Sequence, residues 1–248
     1  MKEERFFYVP DASESLELPE EEARHAIRVL RLHEGDEMFL QDGVGTFYHA
    51  VVSMSNNKHC YYTIDGTMPQ KRMWRGRIHL AIAPTKMMER MEWMAEKATE
   101  VGFDELSFLD CKFSERKKVR CDRMEKIIVS AFKQSRKGWL PVVNDMVPFE
   151  EFVGRDIPGR KFICHCYNEI PKVDFFTEVM GSGDDVALPD AGIDDITVLV
   201  GPEGDFSIDE VRMALDHGFV SASLGTSRLR TETAGLSAVM MSQLARRL

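Results

Sequence analysis

Val198-Leu199-Val200-Gly201-Pro202-Glu203-Gly204-Asp205-Phe206-Ser207 is the stretch that decides the architecture of this chain. The apolar run Ile196 to Val200 reads as a strand buried on both faces, as in parallel sheets. It runs straight into a Gly/Pro loop. Ser207 with Glu210 then forms the Ser-x-x-Glu capping box that opens a helix. In open α/β sheets, ligands bind beyond the carboxyl ends of the strands, so this loop stands where a site belongs. It makes a poor phosphate loop: Glu203 and Asp205 bring negative charge, and no Lys or Arg lies within it. A ligand with hydroxyls or a positive centre suits it better. The spacing alone fits a plain strand-to-helix turn equally well.

A second unit of this kind follows. Leu224-Gly225-Thr226-Ser227-Arg228-Leu229-Arg230-Thr231-Glu232-Thr233-Ala234-Gly235 again leads from a strand end through a glycine loop into a helix. Thr231 or Thr233 is the expected cap. Ala234, Gly235, Ser237 and Ala238 keep the first helical turns small, so a backbone or a flat ring can approach. Arg230 beside Glu232 reads equally well as a plain ion pair.

Working outward, the pattern predicts strands at Ile78–Ala83, Glu105–Leu109, Lys161–Cys164 and Phe219–Leu224. It predicts helices at Lys86–Val101, Val119–Lys137, Ser207–His217 and Thr233–Arg247. Met87, Met91, Met94, Ala95 and Ala98 form the core stripe of the first of these. This is an α/β domain with a mostly parallel sheet. Gly181–Asp195 is Gly/Asp-rich and reads as a mobile loop. Upstream the rhythm is different. Phe6–Val9, Glu37–Gln41, Thr46–Met54 and His59–Ile64 read as short strands, with a hairpin turn at Asp42-Gly43-Val44-Gly45 and a short helix from Glu20 to Arg31. Closely spaced short strands point to a small barrel. The linker falls within 66–76, giving domains at 1–70 and 75–248.

The 248 residues allow one to two domains, and 44% hydrophobic with 29% charged residues is ordinary for a globular chain. No apolar run reaches the ~18 residues of a membrane span, and the N-terminus leads into no signal core, so a cytoplasmic protein is expected. Five cysteines and no secretion signal argue for reduced thiols. Cys164-His165-Cys166 has no second ligand pair at metal spacing and reads as a strand end, so no metal is expected. Residues 112–138 hold ten Lys/Arg against three Asp/Glu. That is a local excess of +7, so the remainder of a chain of net charge -9 carries -16. Such asymmetry fits a basic RNA footprint on an acidic body, or simply a solvated helix face.

Taken together, these motifs resemble the ribosomal RNA small subunit methyltransferase E family. The resemblance rests on Gly-Pro-Glu-Gly at 201–204 and Leu-Arg-Thr-Glu-Thr-Ala at 229–234. Upstream it takes in Lys97-Ala98-Thr99-Glu100-Val101-Gly102, Ser114-Glu115-Arg116, Gln134-Ser135-Arg136 with Pro141, and His25-Ala26-Ile27-Arg28-Val29-Leu30-Arg31 before Gly35-Asp36. The resemblance implies a PUA-like barrel followed by a SPOUT-type parallel sheet with a trefoil knot, and a homodimer. It implies S-adenosylmethionine as methyl donor and N3 of a uridine in 16S rRNA of the small ribosomal subunit as target. The implied donor-binding residues are Leu199, Val200, Gly201, Pro202, Glu203 and Gly204, then Leu224, Gly225, Ser227, Arg228, Leu229, Arg230, Thr233 and Ala234, with Cys166 and Tyr167 as a third contact. Two departures stand out. Asp205 occupies a position where the family usually has glycine. In Leu224–Arg230 the family's arginine at 227 is absent, and one stands at 228 instead.

Uridine N3 must lose its proton before it can attack, so the chemistry calls for positioning and stabilisation of developing negative charge. Arg230 is the expected donor to the uracil, with Glu232 and Glu203 as base or orienting groups. The charge pattern nominates an RNA surface of Arg24, His25, Arg28, Arg31, Arg116, Lys133, Gln134 and Arg136. Arg24, Arg28 and Arg31 share a helical face. Trp74, among Lys71, Arg72, Arg75 and Arg77, is placed to stack on an unpaired base. Rival readings are a SPOUT enzyme acting on tRNA or 23S rRNA, and a non-catalytic RNA-binding assembly factor. A Rossmann nucleotide enzyme is disfavoured by the lack of G-x-G-x-x-G.

Overall fold

A computed structural model describes residues 4–181 and 194–247. The chain divides into two compact units, Met1–Arg72 with Val129–Leu140, and Met73–Ile128 with Pro141–Leu248. Most of the Gly/Asp-rich segment read as a mobile loop lies outside the described residues.

The first unit is a four-stranded sheet of β1 (Phe6–Tyr8), β2 (Glu37–Gln41), β3 (Thr46–Ser55) and β4 (Cys60–Pro69), in that spatial order. β1 runs parallel to β2, and the other neighbours are antiparallel. The hairpin turn is set by Asp42, whose Oδ1 accepts the N–H groups of Val44 and Thr46 at 2.8 and 2.9 Å. Phe7, Val9, Met38, Leu40, Ala50 and Tyr62 form its core, together with Ala23 and Ala26. Residues 129–140, distant in sequence, join this unit. Gln41 Nε2 donates to the Lys137 carbonyl at 2.9 Å, and Leu140 N–H to the Gly43 carbonyl at 2.9 Å.

The helix expected from Glu20 to Arg31 is broken. An α-helical turn, α1 (Glu20–Arg24), passes into a π-helical turn over His25–Val29, and Arg31 takes φ +54°. A π turn shifts the phase of the side chains. Arg24, Arg28 and Arg31 therefore do not form the single α-helical face that their spacing predicts.

The second unit is a seven-stranded sheet in which every described strand pair is parallel. Its strands are β5 (Ile78–Ile82), β6 (Glu105–Asp110), β7 (Val142–Pro148), β8 (Arg160–Cys164), β9 (Val173–Asp174), β10 (Ile196–Val200) and β11 (Val220–Ser223). The order is β7-β6-β5-β10-β8-β11-β9. β10 lies between β5 and β8 with all five residues buried, as a strand of Ile, Val, Leu and Val with one threonine requires. Its register sets Val200 beside Cys164, and Ala222 of β11 stands on the other side of Cys164. The chain therefore leaves three neighbouring strands at one end of the sheet.

The helices are α2 (Met88–Val101), α3 (Cys121–Gln134), α4 (Phe149–Val153), α5 (Phe175–Met180), α6 (Ile208–Asp216) and α7 (Thr231–Arg246). The first eight residues of α3 belong to this unit, and the rest of that helix belongs to the first. Met91, Met94, Ala95 and Ala98 of α2 are buried as the stripe predicts, whereas Met87 is the exposed N-cap. β7, α4, β9 and α5 are not anticipated from the sequence. In β7, Asn144-Asp145 interrupts the apolar pattern, and the register with β6 shifts between Ser107 and Leu109. α7 begins at Thr231 with Arg230 as N-cap and no side-chain cap, so neither threonine plays the capping role expected of it. Its small residues allow close approach: a Cβ on Gly235 would lie 2.8 Å from Ile82 Cδ1.

Trp74 is 5% exposed, and its indole N–H donates to Asp104 Oδ2 at 2.9 Å. A Cβ on Gly102 would meet its ring at 2.7 Å. It is a packed core residue, which overturns the expectation that it stacks on RNA.

Candidate active site

A cavity of about 440 Å³ opens where β8, β10 and β11 end. One wall is the loop 201–206. Gly201 and Pro202 are buried, and a Cβ on Gly201 would lie 3.0 Å from Phe206 N. Glu203 Oε1 accepts the Lys86 N–H at 2.9 Å, tying this loop to the segment before α2. Behind the loop, the predicted capping box is formed: Ser207 N–H donates to Glu210 Oε2 at 2.7 Å, and Glu210 N–H donates to Ser207 Oγ at 3.3 Å.

The end of β8 forms the adjoining wall. Tyr167 N–H donates to His165 Nδ1 at 3.2 Å, so Nε2 carries the ring proton and donates to Ser221 Oγ at 2.7 Å. Burial, reinforced by the Lys172 charge, lowers the His165 pKa and keeps the ring neutral. Burial pushes the Cys164 thiol up to about 12. The Cys166 thiol is also raised, by burial and then by the Asp205 charge. Neither sulfur is an activated nucleophile.

The third wall is 224–234. Ser227, Arg228 and Arg230 are exposed at the mouth. Glu232 is 7% exposed, and Arg90 NH1 of α2 lies 3.3 Å from its Oε1. The Arg230–Glu232 ion pair is not among the described contacts; the cation beside Glu232 is Arg90.

Of the residues nominated from sequence, Cys166, Val200, Gly201, Pro202, Glu203, Leu224, Gly225, Ser227, Arg228, Leu229, Arg230, Glu232 and Ala234 line this one cavity. Tyr167, Leu199, Gly204 and Thr233 are not in its lining. Leu199 is fully buried in the core, and Tyr167 packs against that core and donates its hydroxyl to the Phe206 carbonyl at 2.9 Å. Gly204 faces Phe113, and Thr233 is exposed on α7. The lining also includes Arg90, Cys164, His165, Asp205, Ala222, Ser223 and Thr231, none of them nominated from sequence as donor-binding or catalytic, although Asp205 and Thr231 stand within the two motif loops. No sequence signal links Arg90 to residues some 140 positions away. His165 is visible in the sequence only as part of a Cys-His-Cys triplet. Among the described residues, no group of three His, Cys, Asp or Glu is arranged to hold a metal ion.

The nominated RNA residues divide between the two units. In the first, Arg24, His25, Arg28, Arg31, Gln134 and Arg136 are exposed. Arg24 pairs with Glu20 at 2.7 Å, Arg136 with Glu4 at 2.5 Å, and the half-buried Lys133 with Glu22 at 2.5 Å. Arg136 also lies over the Phe6 ring, 4.8 Å from its centroid. In the same unit the Arg72 guanidinium lies 4.5 Å over the Trp139 ring, an aromatic-basic pair of the kind expected at Trp74. In the second unit, Arg116 is part-buried and donates to the carbonyls of Thr85 and Lys86 at 3.3 and 2.7 Å. There Arg123 pairs with Glu92, and Lys117 with Asp110. Acidic neighbours thus absorb part of the basic excess.

Comparison with known proteins places this arrangement. A family model described as an RNA methyltransferase domain matches residues 72–243, and one described as an RNA methyltransferase PUA domain matches residues 18–65. The structure is similar to a "probable rRNA-methyltransferase" from Porphyromonas gingivalis, with 40% identity, a TM-score of 0.85 and 98% of each chain covered. It is similar to a ribosomal RNA small subunit methyltransferase E from Neisseria gonorrhoeae solved with S-adenosyl methionine, with 26% identity, a TM-score of 0.78 and 98% of each chain covered. The Bacillus subtilis protein of the same name is 28% identical over 233 residues, 88% of this chain and 86% of that one. With both domains matched and the cavity built from the loops that carry the motifs, the chain belongs to the ribosomal RNA small subunit methyltransferase E family of RNA methyltransferases.

Proposed function

We propose that this chain is an S-adenosylmethionine-dependent methyltransferase that modifies N3 of a uridine in 16S rRNA of the small ribosomal subunit. The observation that carries the reading is the cavity at the ends of β8, β10 and β11. Its volume lies in the range of small-molecule sites. Its walls fit the methyl donor. Gly201, Gly225, Ala222 and Ala234 leave room for a flat ring, while Glu203 and Glu232 offer acceptors to hydroxyls and positive groups. The donor, once bound, supplies an electrophilic methyl group on a sulfonium.

The chain's own residues then position the uridine and manage its proton. Arg230, exposed at the mouth, donates to a uracil carbonyl and stabilises the negative charge that forms when N3 loses its proton. Glu232, fixed by Arg90, is placed to orient the base or to take up the N3 proton. Glu203 has one oxygen committed to the Lys86 N–H and so braces the wall. Metal assistance has no role in this scheme. The relatives described above as rRNA methyltransferases support the rRNA substrate.

The RNA surface belongs to this proposal. In the first unit His25 and Arg28 lie on the π-helical turn, Arg31 follows it, and Arg72 lies over Trp139. A guanidinium over an indole joins positive charge to an aromatic surface, the combination that single-stranded RNA contacts use. The proposal also includes the trefoil knot, the homodimer and a cytoplasmic location. Exposed Trp93 and Met87 next to Arg90, with Met240 and Leu244 on α7, give a second copy an apolar surface on the helices that flank the cavity. No helix among the described residues is long and apolar enough to cross a membrane.

The decisive experiment supplies labelled S-adenosylmethionine and small ribosomal subunits lacking the modification, then identifies the labelled nucleoside. N3-methyluridine is expected. Another labelled nucleoside moves the target to a different base or RNA. No label and no donor binding would leave a non-catalytic RNA-binding protein.

A further inference from the structure

Asp205 is unusual in two ways. Its φ is +67°, in the left-handed region that disfavours residues with a Cβ. Its two carboxylate oxygens are both engaged by backbone. Oδ1 accepts the N–H of Phe206 at 2.8 Å, and Oδ2 accepts the N–H of Cys166 at 2.8 Å. The second bond joins residues 39 positions apart and ties the end of β8 to the loop after β10. Both segments line the same cavity.

We infer that Asp205 is a positioning residue that clamps the Cys166 segment to the 201–206 loop, so that two walls of the cavity are fixed before the donor enters. The inference rests on the donor reading of that cavity. Three further contacts point the same way. The Tyr167 hydroxyl donates to the Phe206 carbonyl at 2.9 Å. Lys172 Nζ donates to the Tyr167 carbonyl. His165 reaches Ser221 of β11 at 2.7 Å. These hold the ends of the segment, and Asp205 alone bonds the Cys166 N–H at its centre. A glycine would adopt the same φ without strain but would leave that N–H without its acceptor. An N–H lining the cavity would then be free to turn, and binding would carry the entropic cost of ordering it.

Positioning and mere stabilisation separate here, because the strain and the clamp pull in opposite directions. In Asp205→Gly, relief of the left-handed conformation offsets the lost bonds, so the melting temperature stays near that of the wild type. Donor affinity, measured by calorimetry with S-adenosylmethionine alone, is expected to weaken about tenfold, the effect of one well-formed hydrogen bond. At saturating donor, kcat stays within about twofold of the wild type, so the loss appears in KM. Asp205→Asn keeps one side-chain acceptor and is expected to fall between the two. Amide hydrogen exchange without ligand reads the clamp directly: Cys166 and Tyr167 exchange faster in Asp205→Gly. Unchanged donor affinity and unchanged exchange, in a protein whose wild type binds the donor, would overturn the clamp. A parallel fall in melting temperature and affinity would overturn the positioning role in favour of a structural one. A wild type that does not bind the donor would overturn the donor reading and this role with it, even if the exchange result showed that the bond forms.

Discussion

The two loops that carry the sequence motifs are built in opposite ways. The 201–206 wall is cross-braced: Glu203 holds the Lys86 N–H, Asp205 holds the Cys166 N–H, and Gly201 and Pro202 are buried. The 225–230 wall is exposed from Gly225 to Arg228. Its described hydrogen bonds are the pair between Ser223 Oγ and Gly225, and Ala234 N–H to the Arg230 carbonyl, which opens α7. One wall is preorganised and the other is left for ligands to order. The first costs little entropy on binding and suits a small donor. The second can adapt to a large substrate at the mouth. In the proposed function both walls contact the donor, and the open wall also carries Arg230, the residue assigned to the uridine.

The contrast between the walls is tested most severely at Arg230. Arg230→Ala is expected to lower single-turnover rates about 100-fold, in the range for loss of one charge-stabilising donor. Donor affinity should hold within about twofold. A matching loss of donor affinity would place Arg230 in donor binding and blur the division between the walls.

Glycine substitutions come next. Gly201→Ala pushes a Cβ to 3.0 Å from Phe206 N in the braced wall, where nothing can yield cheaply. Donor affinity should fall about tenfold or more, since overpacking displaces the backbone. At Gly225 a Cβ would meet nothing within 4 Å, but φ is +125°. Gly225→Ala should therefore act through strain, costing about 1 kcal/mol of stability with a smaller change in affinity. Equal effects on donor affinity at the two sites would erase the contrast.

A smaller effect is expected from pH. The folded His165 pKa lies below the ordinary 6.5, because burial and Lys172 outweigh Asp205 and Glu169. Above 6.5 the ring is neutral in both folded and unfolded chains, and its contribution is intact. As pH falls below 6.5 the unfolded chain takes the proton first, so stability declines towards the folded pKa. His79, part-buried in the sheet and bonded to Ser107, is lowered to about 4 and loses stability in the same direction between 6.5 and 4. Melting curves from pH 8 to 5 should show the decline, and His165→Gln should reduce its slope. A slope unaffected by the substitution would remove His165 as its source.

The smallest expected effect is at Arg24. Its guanidinium is already paired with Glu20, so Arg24→Ala should change affinity for single-stranded RNA less than about twofold. Arg72→Ala and Arg28→Ala should each weaken it more. Each should also make log K less dependent on log salt, by about 0.7 for every phosphate that is no longer neutralised. RNA binding indifferent to Arg72 and Arg28 would remove the first unit from the footprint.

Elements whose chemistry is local are legible in the sequence alone. The buried strand Ile196–Val200 follows from four apolar residues and a β-branched threonine, and the start of α6 follows from Ser207 and Glu210, three residues apart. The two motif loops could be placed at strand ends for the same reason. Tertiary packing settled whatever depends on partners remote in the chain. Trp74 looked like an aromatic offered among bases, but Asp104 and Gly102 bury it. Residues 129–140 joined the first unit through Gln41 and Gly43, contacts that no local pattern encodes. Arg90 reached the cavity from α2 and Asp205 reached Cys166 across 39 positions, because parallel strands bring distant segments together only once the sheet has formed. Short-range preferences set by backbone geometry are written along the chain. Burial and pairing across the sheet are properties of the packed whole.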